Sequence, residues 1–193
     1  MSLKRISEPT IEPVTTANVK EQLSIQTADT EVDAIITRRI TEARQWVETY
    51  TGRSILPCQW EVVLDKFPKE IELFYPPTIV VDNVTYIDTN QQIQTWDLSN
   101  IYLDNDSIPN WVLRAYGVDW PNTLDTANAV RVRYTAGYAD AASVPGPIKE
   151  AIMLTVGHWM RYQGAVEAGI NITRIPNAVE CLLTSYRVYR FGS

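Results

Sequence analysis

A long amphipathic stretch over about residues 30–51 constrains the fold of this chain more than any other feature. Apolar side chains recur there at spacings of three and four, which puts one continuous stripe on a helix of about five turns. The stripe consists of Val32, Ile35, Ile36, Ile40, Ala43, Val47 and Tyr50. A helix with such a stripe needs a partner element against which to bury it.

Backbone signals mark both ends of this predicted helix. Thr30 and Asp33 have the spacing of a capping box at its start. Gly52 stands where a residue in the left-handed conformation ends a helix. We therefore expect the helix to run from about residue 30 to residue 51.

Composition indicates a folded protein without a membrane or secretion signal. With 193 residues, 45% of them hydrophobic, the chain is long enough for one domain, or one domain with an insert, around a buried core. It has no run of roughly 18 or more apolar residues, and its polar start is not followed by an apolar stretch. We expect the protein in the cytosol, with Cys58 and Cys181 reduced.

The middle of the chain carries most of the negative charge. Residues 57–128 have eleven acidic and three basic side chains, hence −8, whereas residues 145–193 have five basic and three acidic, hence +2. The total is −6. Because a negative surface repels phosphate, the middle segment is either a solvated acidic face or a surface that stays near DNA without binding it.

The periodicity changes from helical spacing to alternation after Arg53. Short β-branched or aromatic runs follow, separated by Asn, Asp, Ser or Pro, which predicts an antiparallel β-sheet of the meander type over about 53–136. In the last of these runs, Arg131 and Arg133 share one side of the strand. We expect both arginines to face the acidic strands.

Helical spacing returns after the β insert. It predicts helices over about 147–164 and 177–190, in addition to a short helix over about 16–24 that Thr15 or Thr16 would cap. The predicted fold class is α+β: a small helical bundle formed by N- and C-terminal helices, with the antiparallel sheet inserted. Residues 1–14 are expected to be a flexible arm, and residues 15–193 a single domain.

Catalytic and ligand-binding motifs are missing from the sequence. It contains no phosphate-binding glycine loop, no H-E-x-x-H and no G-x-S-x-G. His158 lies in an apolar helical segment, and Asp104 and Asp106 lack the spacing of a calcium loop. We expect no enzyme activity, no cofactor and no metal. An enzyme that uses carboxylates such as Glu70 and Glu72 ranks last among three functional interpretations of the sequence; the other two are a binding module and a structural subunit.

Aromatic and arginine side chains indicate surfaces that bind a partner. Tyr186, Arg187, Tyr189 and Arg190 crowd the C-terminus, and tyrosine and arginine are enriched at interface hot spots. The alternative is that these C-terminal side chains pack in the core or cap the end of the last helix. Elsewhere, three aromatic residues lie in or near irregular sequence: Trp111, Tyr116 and Trp120. They support the second reading of the sequence, a monomeric β-rich module that recognises a peptide or carbohydrate.

Three segments together resemble the head-to-tail connector (adaptor) proteins of long-tailed bacteriophages and prophages, in particular the longer members of that family. The first is Glu-Pro-Val-Thr at 12–15. The second is the helix end from Ala43 to Tyr-Thr-Gly-Arg at 50–53, followed by Gln59-Trp60. The third runs from Arg133 to Tyr138 and on to Pro-Gly-Pro-Ile at 145–148.

This resemblance implies a structural virion protein without catalytic activity or cofactors. About a dozen copies would form a ring between the portal and a tail or stopper protein, and double-stranded DNA would pass through without sequence-specific binding. Assembly would take place in the host bacterial cytoplasm, and the ring would stay at the head–tail junction of the virion. The C-terminal segment would dock on the portal, which makes Tyr186, Arg187, Tyr189 and Arg190 the candidate contacts.

The negative charge of the insert suggests a lining for such a ring. A bore lined by carboxylates offers passing phosphates no deep energy wells, so that DNA slides and does not bind. Glu70 and Glu72, which alternate on one predicted strand, are the candidates for this DNA channel. The alternative is that they lie on the outside of the ring.

One substitution tests which side of the long helix is buried. Val47→Glu would place an unpaired charge in the bundle core, so we expect the free energy of unfolding to fall by several kcal/mol. Denaturation with urea measures this change. A loss of less than about 1 kcal/mol would contradict the assigned facing of the helix.

Overall fold

The structure, a computed structural model, describes residues 1–161 and 177–189, which divide into two units. The helical unit contains Thr10–Leu56 and Asp140–Arg187, and the β unit contains Met1–Pro9, Pro57–Ala139 and the chain end from Val188. Helices form the first unit and antiparallel strands the second. The predicted α+β class, with a β insert between N- and C-terminal helices, is confirmed.

The helices of the helical unit pack through their apolar stripes. Those described are α1 (Thr16–Leu23), α2 (Asp33–Thr51), α3 (Gly146–Arg161) and α4 (Asn177–Thr184). Helix α2 packs against α3, which also contacts α1 and α4. The centre of the predicted stripe is buried at Ile36, Ile40, Ala43 and Val47. The expected bundle is therefore present. The predicted end of α3, at residues 162–164, lies outside the described residues.

Two of the predicted helix ends are confirmed. The Thr15 hydroxyl oxygen accepts a hydrogen bond from the backbone N of Asn18 at 3.2 Å, within a capping box that starts α1. Gly52 ends α2 in the left-handed conformation with φ of 68°, and its N–H donates to the Glu48 carbonyl at 2.9 Å. Glycine adopts this φ without the steric strain of a side chain.

The predicted capping box at the start of α2 is wrong. The helix begins at Asp33 and not at residue 30, and Val32 at its N-cap makes no side-chain cap. The Asp33 carboxylate pairs with Lys20, whose Nζ lies 2.5 Å from Asp33 Oδ1. Lys20 also donates to the Asp29 carbonyl at 2.6 Å. This lysine thus holds residues before the helix in a non-helical path that the local sequence does not show.

The last helix ends earlier than the sequence predicts. Helix α4 stops at Thr184, whereas the helical spacing continues to residue 190. The N–H of Tyr186 bonds to the Leu183 carbonyl at 2.9 Å, a 3₁₀-type bond that tightens the helix end. The carbonyl of Tyr186 then accepts a hydrogen bond from Arg53 Nε at 2.6 Å. A side chain from a distant segment therefore takes a carbonyl that a longer helix would have used.

The β unit contains two antiparallel sheets. Its strands are β1 (Ser2–Arg5), β2 (Cys58–Leu64), β3 (Ile71–Leu73), β4 (Thr78–Ile87), β5 (Ile93–Trp96), β6 (Ile101–Asp104), β7 (Asn110–Arg114) and β8 (Val130–Ala136). The five-stranded sheet has the order β1-β2-β8-β4-β5, and the three-stranded sheet has the order β3-β7-β6. The strand order is therefore not the sequential one of a simple meander.

Both sheets contribute side chains to one core. Val62, Val132 and Tyr134 come from the five-stranded sheet, and Leu73 and Val112 from the three-stranded sheet. The hydroxyl of Tyr134 also donates to the Phe74 carbonyl at 2.8 Å. The β insert thus has a core of its own and belongs to a separate unit from the helices. The single domain over residues 15–193 stays a prediction.

Residues near the N-terminus add a strand to the five-stranded sheet, and the flexible arm over residues 1–14 stays a prediction. Strand β1 pairs along its whole length with β2, from Ser2 opposite Val63 to Arg5 opposite Trp60. Further along, Val14 belongs to the helical unit and is buried, with 5% of its surface exposed. Without β1, strand β2 would be an open sheet edge. Pairing with β1 therefore covers this edge of the sheet.

A buried ion-pair network holds α2 within the helical unit. Arg44 is 1% exposed and is the largest of the fully buried side chains in the described residues. Its Nε lies 2.8 Å from Glu12 Oε2, and its Nη1 lies 3.1 Å from Glu48 Oε2. Glu48 Oε1 also accepts a hydrogen bond from the backbone N of Ile55 at 3.1 Å. The network connects α2 to the segment before α1 and to the segment after α2.

Removing this arginine should destabilise the helical unit strongly. Arg44→Leu would leave the buried Glu48 carboxylate without its cation, so we expect the free energy of unfolding to fall by about 3–5 kcal/mol in urea denaturation. Arg38→Leu on the same helix is the matched control, because Arg38 is 64% exposed and pairs with Glu42 only at 3.7 Å. The control should lose less than about 0.5 kcal/mol. Equal losses would contradict a stabilising role for the Arg44 pairings.

Candidate functional site

Two of the C-terminal residues predicted to contact a partner lie beside the end of α2. Arg187 is exposed, and its guanidinium carbon lies 5.0 Å from the ring centroid of Tyr50. This is the distance of a cation–π contact. Tyr186 is half-buried and is held through its carbonyl by Arg53. The structure therefore brings Tyr186 and Arg187 together next to Tyr50 and Arg53.

The other two predicted contacts are not part of this arrangement. Tyr189 belongs to the chain end of the β unit and is 54% exposed, and Arg190 lies outside the described residues. Sequence reasoning missed Tyr50 and Arg53 as residues that hold the C-terminal segment. The available signal was the Tyr-Thr-Gly-Arg sequence at 50–53, which marked the helix end and which the structure shows contacting residues 186 and 187.

The three-stranded sheet has an outer face that combines carboxylates with apolar side chains. Its middle strand presents Trp111, with Glu72 opposite on β3 and Asp104 opposite on β6. The neighbouring residues Ile71 and Val112 point into the core and are buried. Since side chains alternate along a strand, Trp111 and the two carboxylates point outward.

The next row of this sheet adds exposed surface. Tyr102 lies opposite Leu113 and is 59% exposed. Glu70 lines the same depression as Leu113, has a 41% exposed side chain and pairs with Lys69 at 3.6 Å. Both DNA-channel candidates therefore share one face, although a role at a DNA passage stays a prediction. We call this surface the Trp111 face, and its residues are Glu70, Glu72, Tyr102, Asp104, Trp111 and Leu113.

The five-stranded sheet has an outer face with the opposite charge. The strand register aligns Lys4, Glu61, Arg133 and Asn83 in one row across four strands. Arg131 lies two residues before Arg133 on β8 and is opposite Thr85 of β4. We call this surface the arginine face, and its residues are Lys4, Glu61, Asn83, Thr85, Arg131 and Arg133.

One buried carboxylate holds both arginines of this face. Glu61 Oε2 accepts a hydrogen bond from Arg131 at 3.0 Å, and Glu61 Oε1 accepts one from Arg133 at 3.0 Å. Glu61 has an 8% exposed side chain, whereas Arg131 and Arg133 are 45% and 46% exposed. The expectation that both arginines face an acidic strand is confirmed, with Glu61 as the partner.

The charge state of Glu61 follows from its surroundings. Burial raises the pKa of Glu61, but hydrogen bonds from Arg133 and Arg131 outweigh it, and the pKa lies below its ordinary value. The carboxylate is therefore ionised at neutral pH. It fixes the two guanidinium groups in place while nearly half of each side chain stays open to solvent.

The three aromatics considered for ligand recognition do not form one surface. Trp120 stacks on Phe67 with ring centroids 4.6 Å apart and packs against the core of the β unit. Tyr116 is fully exposed on a loop, whereas Trp111 is half-buried on the outer sheet face. Trp120 thus has a packing role, which removes it from the candidate recognition surface.

The candidate surfaces suit contact with another macromolecule more than chemistry on a small molecule. Glu70 and Glu72 lie on an outer sheet face beside an open depression of about 390 Å³. Within residues 1–161 and 177–189, no group of His, Cys, Asp and Glu side chains is arranged to hold a metal ion. Among the helices described there, none combines the length and the apolar character needed to cross a membrane.

Comparison with known proteins finds similarity over nearly the whole chain. The sequence profile described as head completion protein matches residues 12–189. A comparison with curated proteins gave no match. One similar solved structure is a chain in the neck of an empty gene transfer agent particle computed with C6 symmetry, with 17% identity and a TM-score of 0.79. Two others are a chain in the virion of the native particle and a chain in the neck of the native particle computed with C12 symmetry. Each of these has 18% identity and a TM-score of 0.76.

These matches extend over both units of the protein. Each structural alignment covers 99% of this chain and 97% of the other. The profile match begins at Glu12, the partner of Arg44, and ends at Tyr189. The chain therefore belongs to the head completion protein family and is a structural subunit of a head–tail connector.

Proposed function

We propose that this protein forms a homo-oligomeric ring in the neck of a virion, between the portal of the head and a tail or stopper protein. The observation that carries the proposal is the fold similarity, over the full chain, to chains in gene transfer agent necks computed with C6 and C12 symmetry. A ring of about a dozen copies agrees with the second of these symmetries. Family membership supports a structural role without catalysis.

Double-stranded DNA would pass through this ring without sequence-specific binding. The net charge of −8 over residues 57–128 supports a passage that phosphates do not adhere to. Glu70 and Glu72 carry part of this charge, but Trp111 and Leu113 lie between the carboxylates on the same face. The exposed ring of Tyr102 on that face favours a protein partner. We expect other carboxylates of the insert to face the DNA, and the subunits to assemble in the host bacterial cytoplasm.

Deleting the gene from a particle-producing host tests this proposal. We expect DNA-filled heads and separate tails in electron micrographs of the lysate, because the portal would lack the surface that receives the tail. Expression of the wild-type chain should restore tailed particles. A normal yield of tailed particles after deletion would contradict the proposed function.

The C-terminal segment is the proposed contact with the portal. Arg187 presents an exposed guanidinium stacked on Tyr50, and Tyr189 presents a half-exposed ring. A fork of donors and a rigid ring together give contact area at low entropic cost. Anchoring of Tyr186 by Arg53 fixes where the exposed segment begins, which reduces the ordering needed for docking.

Shortening these side chains should weaken docking and not folding. For Arg187→Ala combined with Tyr189→Ala, we expect affinity for purified heads that carry the portal to fall at least about tenfold, since both are hot-spot residue types. Co-sedimentation with heads from the deletion host measures this affinity. The matched control is Arg161→Ala, another exposed arginine of the helical unit. Affinity equal to that of the control would contradict the assignment of this segment to the portal.

A further inference from the structure

The β unit presents two outer surfaces that are complementary in charge. The Trp111 face carries three carboxylates around Trp111 and Leu113, and the arginine face carries Arg131, Arg133 and Lys4 around the buried carboxylate of Glu61. We propose that the Trp111 face of one subunit binds the arginine face of the next subunit in the ring. This inference rests on the proposed ring and assigns the surfaces that close it.

The positions of the two faces fit the geometry of a closed ring. In a ring of identical subunits each contact joins two different surfaces, so every subunit needs one of each. With about twelve copies, neighbours are rotated by about 30°, and the two contact surfaces of a subunit therefore face nearly opposite directions. The Trp111 face and the arginine face satisfy this condition, because they are the outer sides of two sheets that share one core.

The side chains of the two faces can form specific pairs. Glu61 already holds Arg131 and Arg133 in place, so little rotamer freedom is lost when they bind. Their exposed sides can donate to carboxylates of the Trp111 face and stack on its aromatic rings. Tyr102, which is 59% exposed, would be covered in such a contact.

A second copy of this chain explains these faces better than DNA does. Phosphates would be repelled by the carboxylates of the Trp111 face, and they gain nothing from its exposed Tyr102 ring. On the arginine face, Glu61 lies between Arg131 and Arg133 and offsets part of their charge. The partner that satisfies both faces at once is a neighbour of the same sequence.

Charge reversal on one face at a time tests the contact. The first variant combines Glu70→Lys with Glu72→Lys and makes both faces of the subunit basic. The second combines Lys4→Glu with Arg131→Glu and makes both faces acidic, while Arg133 keeps its hydrogen bond to Glu61. Each variant is added to purified heads from the deletion host, and the copies bound per head are counted by quantitative mass spectrometry and electron microscopy.

Each variant alone should fail, and the two mixed should succeed. Like charges would meet at every contact of a single variant, so we expect the copies bound per head to fall at least about tenfold. In an equal mixture, basic and acidic subunits can alternate around a ring with an even number of copies, and full occupancy should return. A control that changes net charge equally, Glu21→Lys with Glu31→Lys on exposed positions of the helical unit, should bind as the wild type does.

Several outcomes would overturn the inference. If each single variant fills the ring as the wild type does, the two faces do not meet. If occupancy is normal but DNA retention changes, the faces belong to the DNA passage and not to the contact between subunits. If both variants fold but their equal mixture still forms no ring, the proposed contact is also contradicted. If the wild type itself forms no ring on the heads, the proposed function fails before this inference is reached.

A milder substitution tests the same contact with less risk of unfolding the protein. Tyr102→Ser removes an exposed ring from an edge strand of the Trp111 face and should leave the Tm within a few degrees of the wild type, because the side chain is not part of the core. We expect the protein concentration needed for half-occupancy of the heads to rise at least about tenfold. An unchanged concentration for a folded Tyr102→Ser variant would count against the contact.

Discussion

The buried pairing of Arg44 with Glu12 and Glu48 is the interaction on which the rest of the helical unit depends. A charge with 1% exposure is tolerated only when its partners are fixed, so the position of α2 determines where its partners must be. Glu12 lies just before α1, and Glu48 binds the backbone of Ile55 just after α2. The two chain segments that lead to β1 and β2 are thereby held to the same part of α2. Strands β1 and β2 in turn pair with each other within the β unit.

The local sequence predicted those features whose cause is local. The apolar stripe of α2, the left-handed Gly52 and the capping hydroxyl of Thr15 each act over at most a few residues, and all three are confirmed. The start of α2 and the end of α4 were predicted incorrectly because distant side chains decide them. Lys20 draws Asp33 away from a capping role, and Arg53 binds the Tyr186 carbonyl. Neither contact can be predicted from the short sequence segments on which helix prediction relies.

The candidate surfaces show the same division between local and distant causes. Strand alternation was sufficient to predict that Arg131 and Arg133 share a side, as it was for Glu70 and Glu72. Strand alternation does not predict which residues of other strands lie beside these side chains. Trp111 becomes a neighbour of Glu72, and Glu61 becomes the partner of both arginines, only through strand pairings between residues about 40 and 70 positions apart. The sheet order that creates both faces is likewise set by the shared core.

The low sequence identity to the gene transfer agent chains bears on how such rings achieve specificity. With 17–18% identity and TM-scores of 0.76–0.79, the architecture tolerates replacement of most side chains. In the proposed ring, surface charge can discriminate between neighbours, because a wrong neighbour brings like charges together. In the arrangement proposed for this protein, Glu61 fixes two arginines whose exposed sides can donate to a carboxylate-bearing face. A subunit with a basic face there would be rejected by repulsion, without any change in fold.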